Sequence, residues 1–289
     1  MCSLFLVVPT HGGLQMNNRE YLQVTSLQNP RVKEVVRLRD RRDRDKTQTF
    51  IIEGYRELLR ATDGNFQIDT LFICPALFLG ENECSLIARI ASRGTCVLEC
   101  NEAVFRKISY RDRPDGLVAI ASQRTLSFEE MENSLSQKKS PLFVVAEAIE
   151  KPGNLGTILR SSDAVGVDGL IVCDRCTDVY NPNVVRASVG TLFTVPVLEA
   201  EGKATLEWLR RNKIKILAAT PSAKQEFTQV DMTGPLAIAV GTEQLGLSPL
   251  WMEHADIQVR IPMLGVADSL NVAMATTLLL YEAQRQRRL

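Results

Sequence analysis

The sequence predicts an α/β protein in two parts, a small α/β unit followed by a larger one built on a parallel sheet with helices on both sides. Three observations predict it. Runs at residues 142–147, 169–173, 214–219, 236–241 and 257–261 are β-rich and apolar on both faces, as strands buried between two layers must be. Helical stretches separate these runs, giving the crossovers of about a dozen or more residues that parallel neighbours need. Before residue 123, shorter strand-like and helical segments alternate, which is the pattern of a separate, smaller α/β layer structure.

The elements follow in order. Residues 1–16 read as a loose leader in which Met16 is a second candidate start. Its apolar stretch, residues 4–8, is too short to span a bilayer and lacks the basic flank of a signal peptide. A charged helix is predicted around residues 30–45, a strand at 49–52 and a helix at 56–62. Strands follow at 70–73 and 116–121, with a helix at 84–92 between them. The polar stretch from Gln123 to Pro141 reads as a linker, so residues 17–124 and 141–289 are taken as domains joined by 125–140. No repeat of fixed period and no low-complexity tract interrupts the pattern.

At 289 residues and 45% hydrophobic content, either part has enough apolar side chain to bury a core. Lys plus Arg and Asp plus Glu both total 34, a formal charge of zero. That excludes a protein that coats nucleic acid indiscriminately and confines any nucleic-acid site to a local patch. Seven cysteines at irregular spacing sit mostly inside apolar runs, which points to a reducing compartment and hence the cytoplasm. Cys173 and Cys176 are spaced C-x2-C, but Cys96 and Cys100 are C-x3-C. His11 and His254 are the two histidines available, so no structural metal site is expected.

Ligands of open parallel sheets bind beyond the carboxyl ends of the strands, and three segments there are distinctive. The first runs from Glu147 through Lys151-Pro152-Gly153-Asn154 to Arg160: Pro152 and Gly153 force a turn, Asn154 stands where a cap is expected, and Arg160 follows on the helix. An arginine there suits bidentate contact with phosphate. The second, Gly241-Thr242-Glu243-Gln244-Leu245-Gly246-Leu247-Ser248, has the outline of a P-loop, but Leu247 occupies the lysine position, which excludes a nucleoside triphosphatase. What remains is a glycine-flanked loop with Glu243 at its centre. The third runs from Ile261-Pro262-Met263 through Asp268-Ser269-Leu270-Asn271 to Thr277. Pro262 ends a strand, and Asp268 or Ser269 is expected to cap a long helix reaching about residue 284.

In this order after successive strands, the three segments closely resemble the signature motifs of the SpoU (TrmH-type) branch of the SPOUT RNA methyltransferases. The likeness covers about 141–289 and includes Asn181-Pro182-Asn183-Val184-Val185-Arg186-Ala187-Ser188-Val189-Gly190-Thr191-Leu192-Phe193. Residues 25–33 and 50–54 are similar to the substrate-binding domain that precedes such catalytic domains. The resemblance implies a C-terminal SPOUT domain whose parallel sheet ends in a trefoil knot, an exception to unknotted topology, preceded by a small α/β RNA-binding domain. It further implies S-adenosylmethionine as methyl donor, held by Thr220, Gly241, Ile261, Met263 and Leu270, and a ribose 2′-hydroxyl as acceptor. Asn154, Arg160, Glu243, Ser269 and Asn271 match the family's catalytic or substrate-arranging positions. An arginine stays protonated, so Arg160 is expected to grip a phosphate, orient the 2′-oxygen and stabilise its developing charge, with the proton acceptor left open. Two departures stand out: Lys151 replaces an acidic residue and Ala273 a serine. The resemblance also implies a homodimer, and ribosomal RNA in preference to transfer RNA.

RNA contact is expected independently of the resemblance. Residues 31–46 carry eight basic against four acidic residues, and residues 106–113 place Tyr110 among cations. Arg31, Lys33, Arg41, Arg111 and Arg113 are the candidate RNA contacts. The opposing view of the first patch is a solvated helix of alternating ion pairs, since Asp40, Asp43 and Asp45 interleave it. The rival function classes are a transfer-RNA methyltransferase, a non-catalytic RNA-binding protein that keeps the fold, and a dinucleotide-dependent oxidoreductase. The oxidoreductase is disfavoured because no G-x-G-x-x-G follows a strand.

Overall fold

The computed structural model describes residues 21–135, 138–174 and 176–288; the expectations for residues 1–16 and for His11 lie outside them. The first part runs β1 (Leu22–Val24), α1 (Pro30–Arg37), α2 (Arg41–Thr47), β2 (Thr49–Glu53), α3 (Tyr55–Asp63), β3 (Ile68–Ile73), α4 (Glu83–Ala91), β4 (Cys96–Cys100), α5 (Glu102–Ile108) and β5 (Leu117–Ser122). Its five strands lie in the order β1-β4-β3-β5-β2, with β5 antiparallel to both its neighbours.

The charged helix expected at 30–45 is two helices. Leu38 is buried, so the chain must turn inward there, and the side chain of Asp40 then caps α2 by accepting the Arg42 amide. The stretch read as a linker contains α6 (Phe128–Leu135), whose Met131 is buried and whose Phe128 ring stacks on Trp208 at 5.5 Å.

The second part runs β6 (Leu142–Glu147), α7 (Pro152–Val165), β7 (Gly169–Cys173), α8 (Pro182–Ala187), β8 (Val197–Ala200), α9 (Gly202–Arg211), β9 (Lys215–Ala219), β10 (Gln225–Glu226), β11 (Leu236–Val240), α10 (Pro249–His254), β12 (Ile257–Arg260) and α11 (Val272–Arg287). The strands form a seven-stranded sheet, β10-β12-β9-β11-β6-β7-β8, parallel at every pairing. The five predicted strands are all present. The short strands β8 and β10, and β1, β4 and α5 in the first part, were not predicted.

Side chains alternate across each strand, and that alternation sorts the interior into three cores. Phe143, Val145, Ile171, Ile216 and Ala239 face Trp208 and Trp251 on one side of the large sheet. Leu142, Val144, Leu170, Ile238 and Val240 face the other way, under Leu155, Ile158 and Leu159 of α7 and Leu279 and Leu280 of α11. This second core is continuous with Phe50, Ile52, Leu71 and Ala119 of the small sheet. The small sheet's outer face, with Ile51, Phe72 and Val118, makes the third. The two sheets thus share one apolar layer. Among the described residues, no helix is long and apolar enough to cross a membrane.

Candidate active site

The carboxyl edge of the large sheet carries all three segments. Pro152 begins α7 and Lys151 occupies the cap position without a side-chain cap bond. Asn154 is therefore inside the first turn rather than capping it, because proline at the first helical position starts the helix earlier. Freed from capping, its Nδ2 donates to Glu243 Oε1 at 2.5 Å.

Glu243 sits in a tight loop after β11. Thr242 and Gly246 exchange backbone hydrogen bonds of 3.0 and 3.1 Å, and Gly246 holds a left-handed φ of 70°. A Cβ on Gly241 would lie 2.1 Å from the Gly246 carbonyl oxygen, so this turn closes only over glycine. Glu147, buried at the end of β6, accepts the Ser248 amide at 2.8 Å and fixes the loop's exit.

The third segment meets the first two through Asn271. It, not Asp268 or Ser269, caps α11, its Oδ1 accepting the Ala273 amide at 3.0 Å. Its Nδ2 donates to Glu243 Oε1 at 2.9 Å and to Asn154 Oδ1 at 3.1 Å. Lys151 Nζ donates to the other Glu243 oxygen. One carboxylate thus binds a lysine and two asparagines from separate segments. The Lys151 bond first, then the Asn154 bond, hold the Glu243 carboxyl below its ordinary range.

Two of the expected catalytic residues stand outside this cluster. Arg160, exposed in the third turn of α7, forms no hydrogen bond or ion pair among the described residues; six residues from Asn154, it is about 9 Å further along the axis. Next to it, Ser161 and Thr277 share a 2.6 Å hydrogen bond that pins α7 to α11. Ser269 is exposed in the loop before Asn271.

The expected cofactor residues gather at one edge. Thr220, Gly241 and Ile261 each follow one of the adjacent strands β9, β11 and β12, and the Thr220 amide donates to Val259 at 2.9 Å. Met263 and Leu270 lie on the loop that continues from Ile261. Among the described residues, the peptide groups of residues 262–270 form no hydrogen bond with another peptide group. Beside the glycine loop, they are free to serve a ligand with amide and carbonyl partners.

The basic candidates behave differently from one another. Arg31 pairs with Glu34 at 3.2 Å, and Arg41 pairs with Asp45 at 3.4 Å and donates to the Cys176 carbonyl at 3.3 Å. Lys33 and Arg113 are exposed. Arg111 turns inward to bind the carboxylates of Glu57 at 2.5 Å and Asp115 at 3.7 Å. Burial raises the Glu57 pKa and Arg111 opposes that rise. The interior half of this ion pair was not legible from a charge-rich stretch. Glu147 had a signal that was not used, an acid closing an otherwise apolar strand.

Comparison with known proteins agrees with this architecture. Residues 141–281 match the SpoU rRNA Methylase family and residues 29–119 the MRM3-like substrate binding domain. The chain is 30% identical to the 23S rRNA (uridine-2′-O)-methyltransferase of Streptomyces viridochromogenes, over 86% of this chain and 87% of that protein. It is 25% identical to the 23S rRNA (guanosine-2′-O)-methyltransferase RlmP of Bacillus subtilis, over 90% and 98%. The AdoMet-bound rRNA methyltransferase of Sinorhizobium meliloti superposes with a TM-score of 0.82 at 33% identity, covering 91% of this chain and 97% of that one. With likeness along nearly its whole length and a carboxylate joining all three carboxyl-edge segments, this chain belongs to the SpoU rRNA methylase family.

Proposed function

We propose that this protein is an RNA methyltransferase that transfers a methyl group from S-adenosylmethionine to a ribose 2′-hydroxyl, in ribosomal rather than transfer RNA. The observation that carries the reading is the convergence of Lys151, Asn154 and Asn271 on Glu243. Two relatives named for ribosomal RNA, one for uridine and one for guanosine, support the substrate class and leave the base to this chain's own contacts.

The donor set fits the cofactor. Free peptide groups at 262–270 beside the glycine loop suit an adenosyl group and an amino-acid tail, with Thr220, Gly241, Ile261, Met263 and Leu270 around it. S-adenosylmethionine supplies an electrophilic methyl on a cationic sulfur. Glu243, ionised and fully engaged, is a poor proton acceptor; its part is to hold Asn154 and Asn271 in fixed geometry beside the acceptor sugar. Arg160 keeps its guanidinium for the adjacent phosphate and for the charge that develops on the 2′-oxygen. Ser269, exposed on the loop before Asn271, is assigned to the sugar side of the site.

We assign residues 17–124 to RNA binding, 125–140 to the connection and 141–289 to catalysis, with Arg31, Lys33, Arg41 and Arg113 on the RNA and Arg111 supporting the segment that carries Arg113. The return of α11 against α7 is consistent with a C-terminal segment threaded as a trefoil knot. Met274, Leu278 and Tyr281 form an exposed apolar stripe along one side of α11, at spacings that share a helix face. A second copy of this chain covers it in our reading, bringing the partner close to Arg160. The buried Cys100 and Cys173 thiols, their pKa values pushed up to about 12 by desolvation, suit a reducing cytoplasm.

The test is incubation of the purified protein and labelled cofactor with unmodified ribosomal and transfer RNA, followed by mapping of positions resistant to alkaline cleavage. Label at ribose positions of ribosomal RNA is expected. Label on bases, or none, would overturn the reading.

A further inference from the structure

We propose that the seam between the two halves is itself an RNA-docking face, in which Tyr110 and Lys107 of the first half and Arg186 of the second bind one single-stranded segment of the substrate. The proposal rests on the reading that RNA is the substrate, and adds a surface to which both halves contribute.

The seam is built to keep its two sides in register. Arg44, buried, directs Nε and Nη2 to Asp178 Oδ2, both at 2.7 Å, and Nη1 to the Leu38 and Arg39 carbonyls at 2.8 Å. Asp178 Oδ1 accepts the Tyr180 amide at 2.9 Å, and the Phe50 and Tyr180 rings pack at 4.5 Å. A fixed joint of this kind allows one ligand to be gripped from both sides without reorganisation.

Across the joint, the Tyr110 hydroxyl accepts Asn183 Nδ2 at 2.9 Å. The Arg39 guanidinium lies 6.0 Å from the Tyr110 ring centroid and is tethered to the Lys107 and Ser109 carbonyls at 2.8 and 2.7 Å. Tyr110 and Arg186 flank the same small crevice, with Glu53 and Arg111 in its wall. Lys107, Arg113 and Arg186 are exposed and, among the described residues, enter no ion pair; Asp112 is the exposed acid between them. An oriented aromatic ring ringed by unpaired cations matches a nucleobase on a phosphate backbone.

This face leads to the reaction site. Arg41 donates to Cys176, and Thr177 Oγ1 donates to the Glu150 carbonyl at 2.5 Å. The loop under the seam therefore abuts the segment carrying Lys151 and Asn154, so a strand lying on Tyr110 is led to the sugar-binding edge of the sheet.

The test is fluorescence anisotropy of the full chain with a labelled mixed-sequence single-stranded RNA of about 20 nucleotides, from about 50 to 200 mM salt. Lys107→Gln with Arg186→Gln should reduce the slope of log affinity against log salt by about 1.4, since each single-strand contact contributes about 0.7. Tyr110→Ala should weaken binding about five-fold or more, and Tyr110→Phe should retain it. Arg211→Gln, at the amino edge of the large sheet, should change neither, and calorimetric S-adenosylmethionine binding should match wild type in every variant. Wild-type slope and affinity in the seam variants, or an equal loss in Arg211→Gln, would overturn the seam while leaving the RNA substrate standing. Failure of the wild-type protein to bind RNA would overturn both.

Discussion

Asn271 reaches across 28 positions of sequence to place its Nδ2 2.9 Å from Glu243 Oε1 while its Oδ1 caps α11. One side chain therefore starts the last helix and joins the second and third segments, so the helix start and the site geometry are set by the same residue.

The Lys151 bond gives Glu243 a pH signature. A carboxyl whose folded pKa is depressed contributes its contacts above its ordinary pKa and loses them as pH falls through the lowered value. The acid limb of methyl transfer should then lie below the ordinary carboxylate range. Lys151→Met removes the largest cause of the depression and should move that limb upward, measured as kcat/KM against pH; an unmoved limb would separate Glu243 from the profile.

Arg160 has no partner to leave behind among the described residues, so its removal should not disturb the fold. Arg160→Ala should lower transfer by about 100-fold or more, the range for losing one stabiliser of developing negative charge, with calorimetric cofactor binding unchanged. Arg160→Lys should not restore it, because an ammonium lacks the planar fork. Unchanged turnover in either variant would remove Arg160 from the reaction.

The Arg44 and Asp178 pair is 1% and 3% exposed. Asp178→Ala leaves a buried guanidinium uncompensated and should cost about 3–5 kcal/mol of stability, read from denaturant midpoints. A loss below about 1 kcal/mol would mean that water reaches the seam.

The apolar stripe on α11 gives a further test. Sedimentation at micromolar concentration should find wild-type dimers, and Leu278→Asp should yield monomers, since a charge in an apolar contact must be desolvated. Monomeric wild-type protein, or dimers in the variant, would put the interface elsewhere.

The sequence was most legible where burial is symmetrical. Residues 142–147 and 236–241 are apolar on both faces, and both are central strands. β8 and β10 are half-exposed edge strands with no such pattern. The charge run at 31–46 reads as one helix because only the tertiary core draws Leu38 inward. Asp268, Ser269 and Asn271 are all of types that cap helices and stand nearly side by side, but Asn271 alone caps α11, where its amide also meets Glu243. Lys151 was legible as a departure from the family pattern, but its partner, 92 positions away, was not. Asn154 and Glu243 were legible because they sit after strands whose ends the pattern already defined.

In the proposed reaction Asn154, Glu243 and Asn271 act as one unit, which single-turnover transfer to ribosomal RNA by Asn154→Asp, Asn271→Asp and the double variant will check. Aspartate keeps the Asn271 capping oxygen and removes the amide donors to Glu243. Each single variant should lose most of the rate, and the double variant should be scarcely slower than the worse of the two, as for residues acting as a unit. Losses that multiply, or single variants that transfer at the wild-type rate, would contradict the account.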